Sequence, residues 1–423
     1  MGTVKRSLII GAAVIVLLSG AVVALADTGT EKSVVTPSEQ PITANENTNA
    51  VSITAPAAVL IDANTGQVLY AKNVLQKHYP ASLTKLMTSV IALDLVKRGQ
   101  LTLQSIIPVS QSAYKVAQTP GLSVAYLNPA EHITLARMLQ YMFIVSADDA
   151  AVAVADSIAG SQKEFAKLMN EKAQALGLTG THYTNASGLQ NRDMYTNAWD
   201  VAILSRYLIK NDPIVLKYAS EPGMYIHPGQ YGPNYDQLLG QFNGLDGLKT
   251  GSTNEAGYCF SGTAIRGKTR LISVVLDTNS FSDVFQDTAS LLGYGFSQFS
   301  SKLFQSAGQP LTTQLQVVDA ANSELSVAPK KDVYVDVQKG SKQTISYTMT
   351  PDVLSAPIVV GQKVATENIV INDHIVQQVP LYALKSDPKA DLIQKLWRTV
   401  VASAHQGARH IVKWVGSKVR KYV

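Results

Sequence analysis

The feature that most constrains this chain is a change in hydrophobic period near Gly247. From Leu83 to Ile209 apolar residues recur at steps of three and four, the spacing of one helical face, at Leu83 to Ile91, Leu135 to Val145, Asp149 to Ile158, Lys163 to Leu176 and Asp200 to Ile209. Beyond Gly247 the segments Tyr258 to Ile265 and Leu271 to Leu276 are apolar and β-branched, with Arg266-Gly267-Lys268 as the turn between them. A further helical pattern, Val284 to Phe296, closes this part of the chain. Ahead of the helices, Ala57 to Ile61 and Gln67 to Ala71 flank Asp62-Ala63-Asn64-Thr65-Gly66, the pattern of a β-hairpin. The order is that of an α/β (α+β) fold in which an antiparallel sheet is flanked by helices.

A second change follows at about Leu303. Short Val/Ile/Thr/Tyr-rich segments split by Gly, Pro, Asn and Asp, such as Val333-Tyr334-Val335-Asp336-Val337, predict a small all-β domain. With 423 residues, 46% of them hydrophobic, the chain can bury one large core and carry this second domain.

The two ends have their own chemistry. Lys5 and Arg6 precede an apolar run from Leu8 to Val23 and the small-x-small pattern Ala24-Leu25-Ala26, which predicts an export signal over residues 1–26. An uncleaved anchor is the alternative, and both place the body outside the cytoplasm. Residues 27–55 are rich in Thr, Ser, Glu and Asn without sustained periodicity, as in a flexible leader. At the other end, residues 389–423 hold eight Lys/Arg against the single acid Asp391. Their apolar positions, among them Leu396, Trp397, Val400, Trp414 and Val415, keep one helical face. That combination predicts an amphipathic helix lying on an anionic membrane surface, the outer face of the cytoplasmic membrane. The formal charge of +5 therefore belongs to the ends, and the slightly acidic body gives no footprint for nucleic acid. Cys259 is the one cysteine, so no intrachain disulfide forms, and a buried inert thiol is expected.

Three short motifs carry the chemistry. Ser82-Leu83-Thr84-Lys85 sets a hydroxyl and an amine on one helical face. A neutral lysine there takes the serine proton, and desolvation together with a second nearby cation favours neutrality. A serine at a helix start also has free backbone N–H groups beside it. The spacing alone is weak evidence, because Ser112 to Lys115 and Ser386 to Lys389 match it too. What strengthens it is the order in which Ser146-Ala147-Asp148 and Lys249-Thr250-Gly251 follow.

With these blocks the chain resembles the serine D-alanyl-D-alanine carboxypeptidases, the low-molecular-mass penicillin-binding proteins, across nearly its whole length. The stretches from Leu60 to Gly66, Pro80 to Thr88, Asn185 to Leu189 and Asp246 to Thr253 match the family's signature blocks. The resemblance implies a transpeptidase-like catalytic domain over residues 56–300, a β domain over 301–388 and the membrane helix over 389–423. It implies removal of the terminal D-Ala from peptidoglycan stem pentapeptides through an acyl-enzyme on Ser82, with β-lactam antibiotics as covalent inhibitors. Lys85 is then the general base and Ser146 a proton relay. Lys249 and Thr250 receive the substrate carboxylate, Gly251 admits the substrate backbone, and Ser82 and Ser252 supply the oxyanion N–H groups.

One position departs from the family: Asp148 stands where Asn is usual. An amide donates as well as accepts, whereas a carboxylate only accepts, so donation to substrate is lost there. Asp148 is also able to pair with Lys85 and hold its proton, which opposes the base role. Two rival functions follow from the same residues: a β-lactamase, which needs a dedicated carboxylate to activate water, and a catalytically impaired peptidoglycan-binding protein of the same fold. The seven histidines form no H-E-x-x-H cluster and no phosphate loop is present, so neither metal nor cofactor is called for.

Overall fold

The computed structural model describes residues 51–394 apart from 323 and 354. The signal and nearly all of the predicted tail helix fall outside those residues.

Five strands form the main antiparallel sheet. They are β1 (Ala57–Asp62), β2 (Val68–Lys72), β7 (Leu245–Thr253), β8 (Gly257–Arg266) and β9 (Thr269–Thr278), in the order β2-β1-β9-β8-β7. The first strand returns to pair with one more than 200 residues later, Val59 opposite Val274. Alternation along β1 serves two cores at once. Ala57, Val59 and Ile61 join the large cluster built with the helices, whereas Ala58 and Leu60 join a smaller one on the other face. That opposite face is covered by α8 (Phe281–Gln298) through Val284, Phe285, Leu291 and Leu292. Gly295 lets α8 close down, since a Cβ there would sit 2.5 Å from Leu271 Cδ1.

Between β2 and β7 runs the helical part. A 3₁₀ turn (Ala81–Leu83) leads into α1 (Thr84–Lys97), followed by α2 (Gln111–Ala117) and the small ladder of β3 (Ile106–Ile107) with β4 (Ile133–Thr134). Next come α3 (Leu135–Ile144), α4 (Asp148–Ala159), α5 (Gln162–Ala175), α6 (Ala198–Asn211) and α7 (Ile214–Ala219). The N-caps are legible in the sequence: Ser110, Thr134, Ser161, Asn197 and Ser280 each accept from the backbone N–H three residues on. A hairpin of β5 (Gly223–His227) and β6 (Gln230–Pro233) precedes β7.

The remaining strands build the small β domain. Here β10 (Phe299–Gln305) pairs with β14 (Val333–Gln338), and β11 (Leu315–Gln316) with β12 (Glu324–Leu325). A four-stranded sheet runs β13 (Val327–Ala328), β17 (His374–Ala383), β16 (Lys363–Ile371), β15 (Ile345–Pro351). Its contact with the first domain is polar: Gln67 exchanges two backbone hydrogen bonds with Asp336, at 2.8 and 3.0 Å, and the Thr65 hydroxyl donates to the Asp336 carboxylate at 2.7 Å.

Several expectations need correction. The end of the leader is part of the fold: Ala55 is fully buried, and the backbone N–H groups of Thr54 and Ala55 donate to Asp287 of α8. Polar composition concealed that anchor. Ser82, expected at a helix start, lies inside a tighter 3₁₀ turn, and the α-helix starts at Thr84. Lys249-Thr250-Gly251, read as the start of the strand region, does lie in its first strand, the nine-residue β7. The short α2 and α7 and the β5–β6 hairpin went unread.

Candidate active site

Ser82 of the 3₁₀ turn, Lys85 of α1, Ser146 of the α3–α4 turn and Lys249 of β7 meet at one place. The chain enters the Ser82 turn through Ala81, whose φ of 45° is left-handed, a conformation that costs a non-glycine residue roughly 1–2 kcal/mol. Strand β7 packs against this turn. A Cβ on Gly251 would lie 3.0 Å from Ser82 N and 3.2 Å from Leu83 N, so the glycine is needed for the protein's own close approach.

Lys85 Nζ lies 2.8 Å from Ser82 Oγ, 2.6 Å from Asp148 Oδ1 and 2.8 Å from the Ser187 carbonyl oxygen. Two of these neighbours are pure acceptors. A neutral amine can donate to both and point its lone pair at the serine hydroxyl, and an ammonium can donate to all three. The geometry therefore serves either protonation state.

Ser146 occupies the turn between α3 and α4, also left-handed at φ 57°. Its hydroxyl accepts from Lys249 Nζ at 3.0 Å, while a second Lys249 bond goes to the Thr250 carbonyl at 2.7 Å. Lys249 is buried, and its ammonium is held well below the usual lysine range, first by that burial and then by the positive charge of Lys85. Thr250 and Ser252 alternate with Lys249 and Gly251 along β7, half-buried and exposed respectively. Asp148, which the motif would turn to substrate, is buried and turned onto Lys85, in the first turn of α4 where the helix dipole favours a carboxylate.

Several contributors were given no role from the sequence, although the stretch from Asn185 to Leu189 was singled out as a block. Ser187 acts through its carbonyl, which a sequence does not advertise. Gly188 (φ 89°) packs so tightly on the Ser82 turn that a Cβ would fall 1.8 Å from the Ala81 carbonyl oxygen. Asn185 accepts from Ser187 and Gly188 N–H and donates to Leu189 O, so its apparent glycosylation sequon is a structural turn. Arg270 clamps Asp246 with two bonds of 2.7 Å and so fixes the start of β7. The buried Asp149 holds the backbone N–H groups of Ala125 and Leu127, and burial pushes its carboxyl up. Cys259 is buried and its thiol is pushed up to about 12 by that burial, which leaves it unreactive.

A serine hydroxyl beside a lysine amine, with a second lysine on a second serine and a strand packed across them, defines a serine acyl-transfer site of the lysine-assisted kind. Residues 42–280 match the D-alanyl-D-alanine carboxypeptidase family, and residues 299–389 match the C-terminal domain of penicillin-binding protein 5. The chain is 32% identical over 379 residues to the D-alanyl-D-alanine carboxypeptidase DacC of Escherichia coli, covering 88% of this chain and 92% of that protein. Its structure is similar to penicillin-binding protein 5 from Haemophilus influenzae, with a TM-score of 0.70 and 28% identity over 80% of this chain and 98% of that one. It is also similar to penicillin-binding protein D2 from Listeria monocytogenes in its ampicillin-bound form, with a TM-score of 0.53 and 34% identity over 58% of this chain and 98% of that one. The chain belongs to the D-alanyl-D-alanine carboxypeptidase family of serine hydrolases.

Proposed function

We propose that Ser82 is the nucleophile of a D-alanyl-D-alanine carboxypeptidase that trims peptidoglycan stem pentapeptides. The observation that carries this reading is the Lys85 amine 2.8 Å from the Ser82 hydroxyl, beside a second buried lysine on Ser146. The substrate peptide lies along the free edge of β7, pairing its backbone with a strand that has one neighbour in its sheet. Its terminal carboxylate approaches Lys249 and Thr250, and that negative charge favours protonation of Lys249 just as substrate arrives. Lys85 takes the Ser82 proton while Oγ attacks the penultimate D-Ala carbonyl. Backbone N–H groups of Ser82 and Ser252 hold the oxyanion. Ser146 passes a proton to the leaving amine, D-Ala departs, and water hydrolyses the ester. A β-lactam enters the same path and leaves slowly.

We further propose that residues 1–26 direct export, that 56–300 and 301–388 are the catalytic and β domains, and that 389–423 attach the protein to the outer face of the cytoplasmic membrane. None of the described helices is long and apolar enough to cross a bilayer. The surface helix rests instead on the chemistry of its sequence.

Release of D-alanine from a peptide ending in D-Ala-D-Ala tests the activity. Wild-type protein should liberate one equivalent per peptide and Ser82→Ala none, whereas equal release by both would refute the assignment. The 2.6 Å Lys85–Asp148 contact favours one second reading, a peptidoglycan-binding protein impaired in acylation, in which Asp148→Asn restores activity to a silent wild type.

A further inference from the structure

We propose that the outward face of the β5–β6 hairpin, with Tyr225 and Tyr231 and the adjoining Tyr126, is a platform for the saccharide to which the stem peptide is attached. The proposal rests on the stem-peptide reading above. Tyr225 and Tyr231 are directly opposite in the hairpin register, and their rings meet edge to face with centroids 5.4 Å apart. They are 64% and 52% exposed, large values for paired aromatic rings. Tyr126, on the neighbouring loop, is 50% exposed and sits at φ 55°, a left-handed conformation that a bulky residue adopts only when its surroundings impose it.

The hairpin that carries these rings packs on the elements that build the active site. The inner face of the hairpin packs on the residue before Ser146, since a Cβ on Gly232 would lie 2.5 Å from Val145 Cγ1. Tyr141 donates to the Ile226 carbonyl at 3.2 Å, and Arg137 donates to that of Tyr225. The loop bearing Tyr126 joins the hairpin through His227 Nε2 and the Ala125 carbonyl, 3.0 Å apart. Asp149 secures the same loop, and Asp148 N–H donates to its Ser123 carbonyl at 2.7 Å. The platform is therefore continuous with the turn that presents Ser146 and Asp148.

Saccharide is the occupant that fits both the chemistry and the reach. A pyranose ring has an apolar C–H face and a rim of hydroxyls, and tyrosine matches it with an apolar ring face and a hydroxyl at its end. An extended peptide spans at most ~3.3–3.6 Å per residue, so four residues behind the cleaved bond reach about 14 Å. The hairpin begins at the Val145–Gly232 contact, one residue from Ser146, so its base lies beside the peptide site.

The test compares kcat/KM of the full chain for a pentapeptide linked to its N-acetylated disaccharide with that for the same pentapeptide free. The disaccharide form should be preferred by about fivefold, Tyr225→Ala/Tyr231→Ala should abolish the preference, and Tyr225→Phe/Tyr231→Phe should keep most of it. Cleavage of the free pentapeptide should be unchanged in all variants, which also shows that they fold. Equal rates for the two substrates in wild type, or a preference that survives the double alanine variant, would overturn the platform. A concentration-dependent dimer abolished by the double alanine variant, with no saccharide preference, would overturn it in favour of a second copy of the chain. If wild type cleaves neither substrate, the activity reading fails, and titration with the disaccharide alone decides the platform: saturable binding lost in the double alanine variant supports it, and no binding refutes it.

Discussion

Lys85 Nζ lies 2.6 Å from Asp148 Oδ1, so the amine that has to take the serine proton is bound to a buried carboxylate. The family's usual amide would offer an acceptor without the charge. A full negative charge stabilises the ammonium, which is the form unable to act as a base.

Asp148→Asn removes that charge from the amine and should raise the acylation rate about tenfold, which corresponds to a barrier change of about 1.4 kcal/mol. Stopped-flow kinetics with a chromogenic β-lactam measure it, and an unchanged rate would show that the carboxylate has no hold on the base.

Gly188→Ala should damage the site without touching any catalytic side chain. The new methyl would fall on the Ala81 carbonyl, and the backbone there is left-handed. A displacement of about 1 Å at the Ser82 turn is enough to lower acylation ~100-fold. Acylation kinetics alongside thermal melting would read both effects, and wild-type kinetics would mean that the turn accommodates the methyl.

The active site shows which signals a linear sequence carries. Ser82, Lys85 and Lys249 were legible because their side chains do the work and their spacing fits recognisable elements. Of the decoys with the same spacing, Ser386 to Lys389 already fails in the sequence, since it follows Lys249-Thr250-Gly251, and the structure removes Ser112 as well. Ser112 on α2 donates to Asp156, and Lys389 follows a proline in a β-bridge with Ala320. Ser187 and Gly188 lay in a block that was singled out, but their roles, like that of Asp149, were unreadable because each acts through backbone: a carbonyl, a missing Cβ, a pair of N–H groups held. The hairpin β5–β6 was missed for another reason, since its outer face is aromatic and exposed and lacks the apolar alternation of a half-buried strand.

A pH dependence of stability should come from the β domain. Glu367 is fully buried on β16, opposite Met349 of β15 and Val379 of β17, and neither carboxylate oxygen has a hydrogen-bond partner. Burial pushes its carboxyl up to about 7. The folded state then keeps a proton that the unfolded chain, near ~4.3, has released, so this group's contribution to stability falls as pH rises from ~4.3 to about 7 and is constant above. Glu367→Gln should flatten that slope and raise the denaturation midpoint at pH 8. Urea melts of both proteins at pH 5 and pH 8 would show it, and an equal slope in the two would refute it.

Loss of the β7 clamp should be felt in substrate binding. Arg270→Ala removes both bonds to Asp246, frees the start of the strand that holds Lys249, and should raise KM for a D-Ala-D-Ala peptide several-fold with a smaller change in kcat. Steady-state kinetics separate the two, and an unaltered KM would leave Asp246 as a surface pair of little weight.

The most direct measurement is to incubate the protein with a labelled penicillin, digest it and locate the modified peptide by mass. A single ester on Ser82, absent in Ser82→Ala and much slowed in Lys85→Ala, is the predicted result. Label on another residue, or full labelling that survives Ser82→Ala, would contradict the account at its centre.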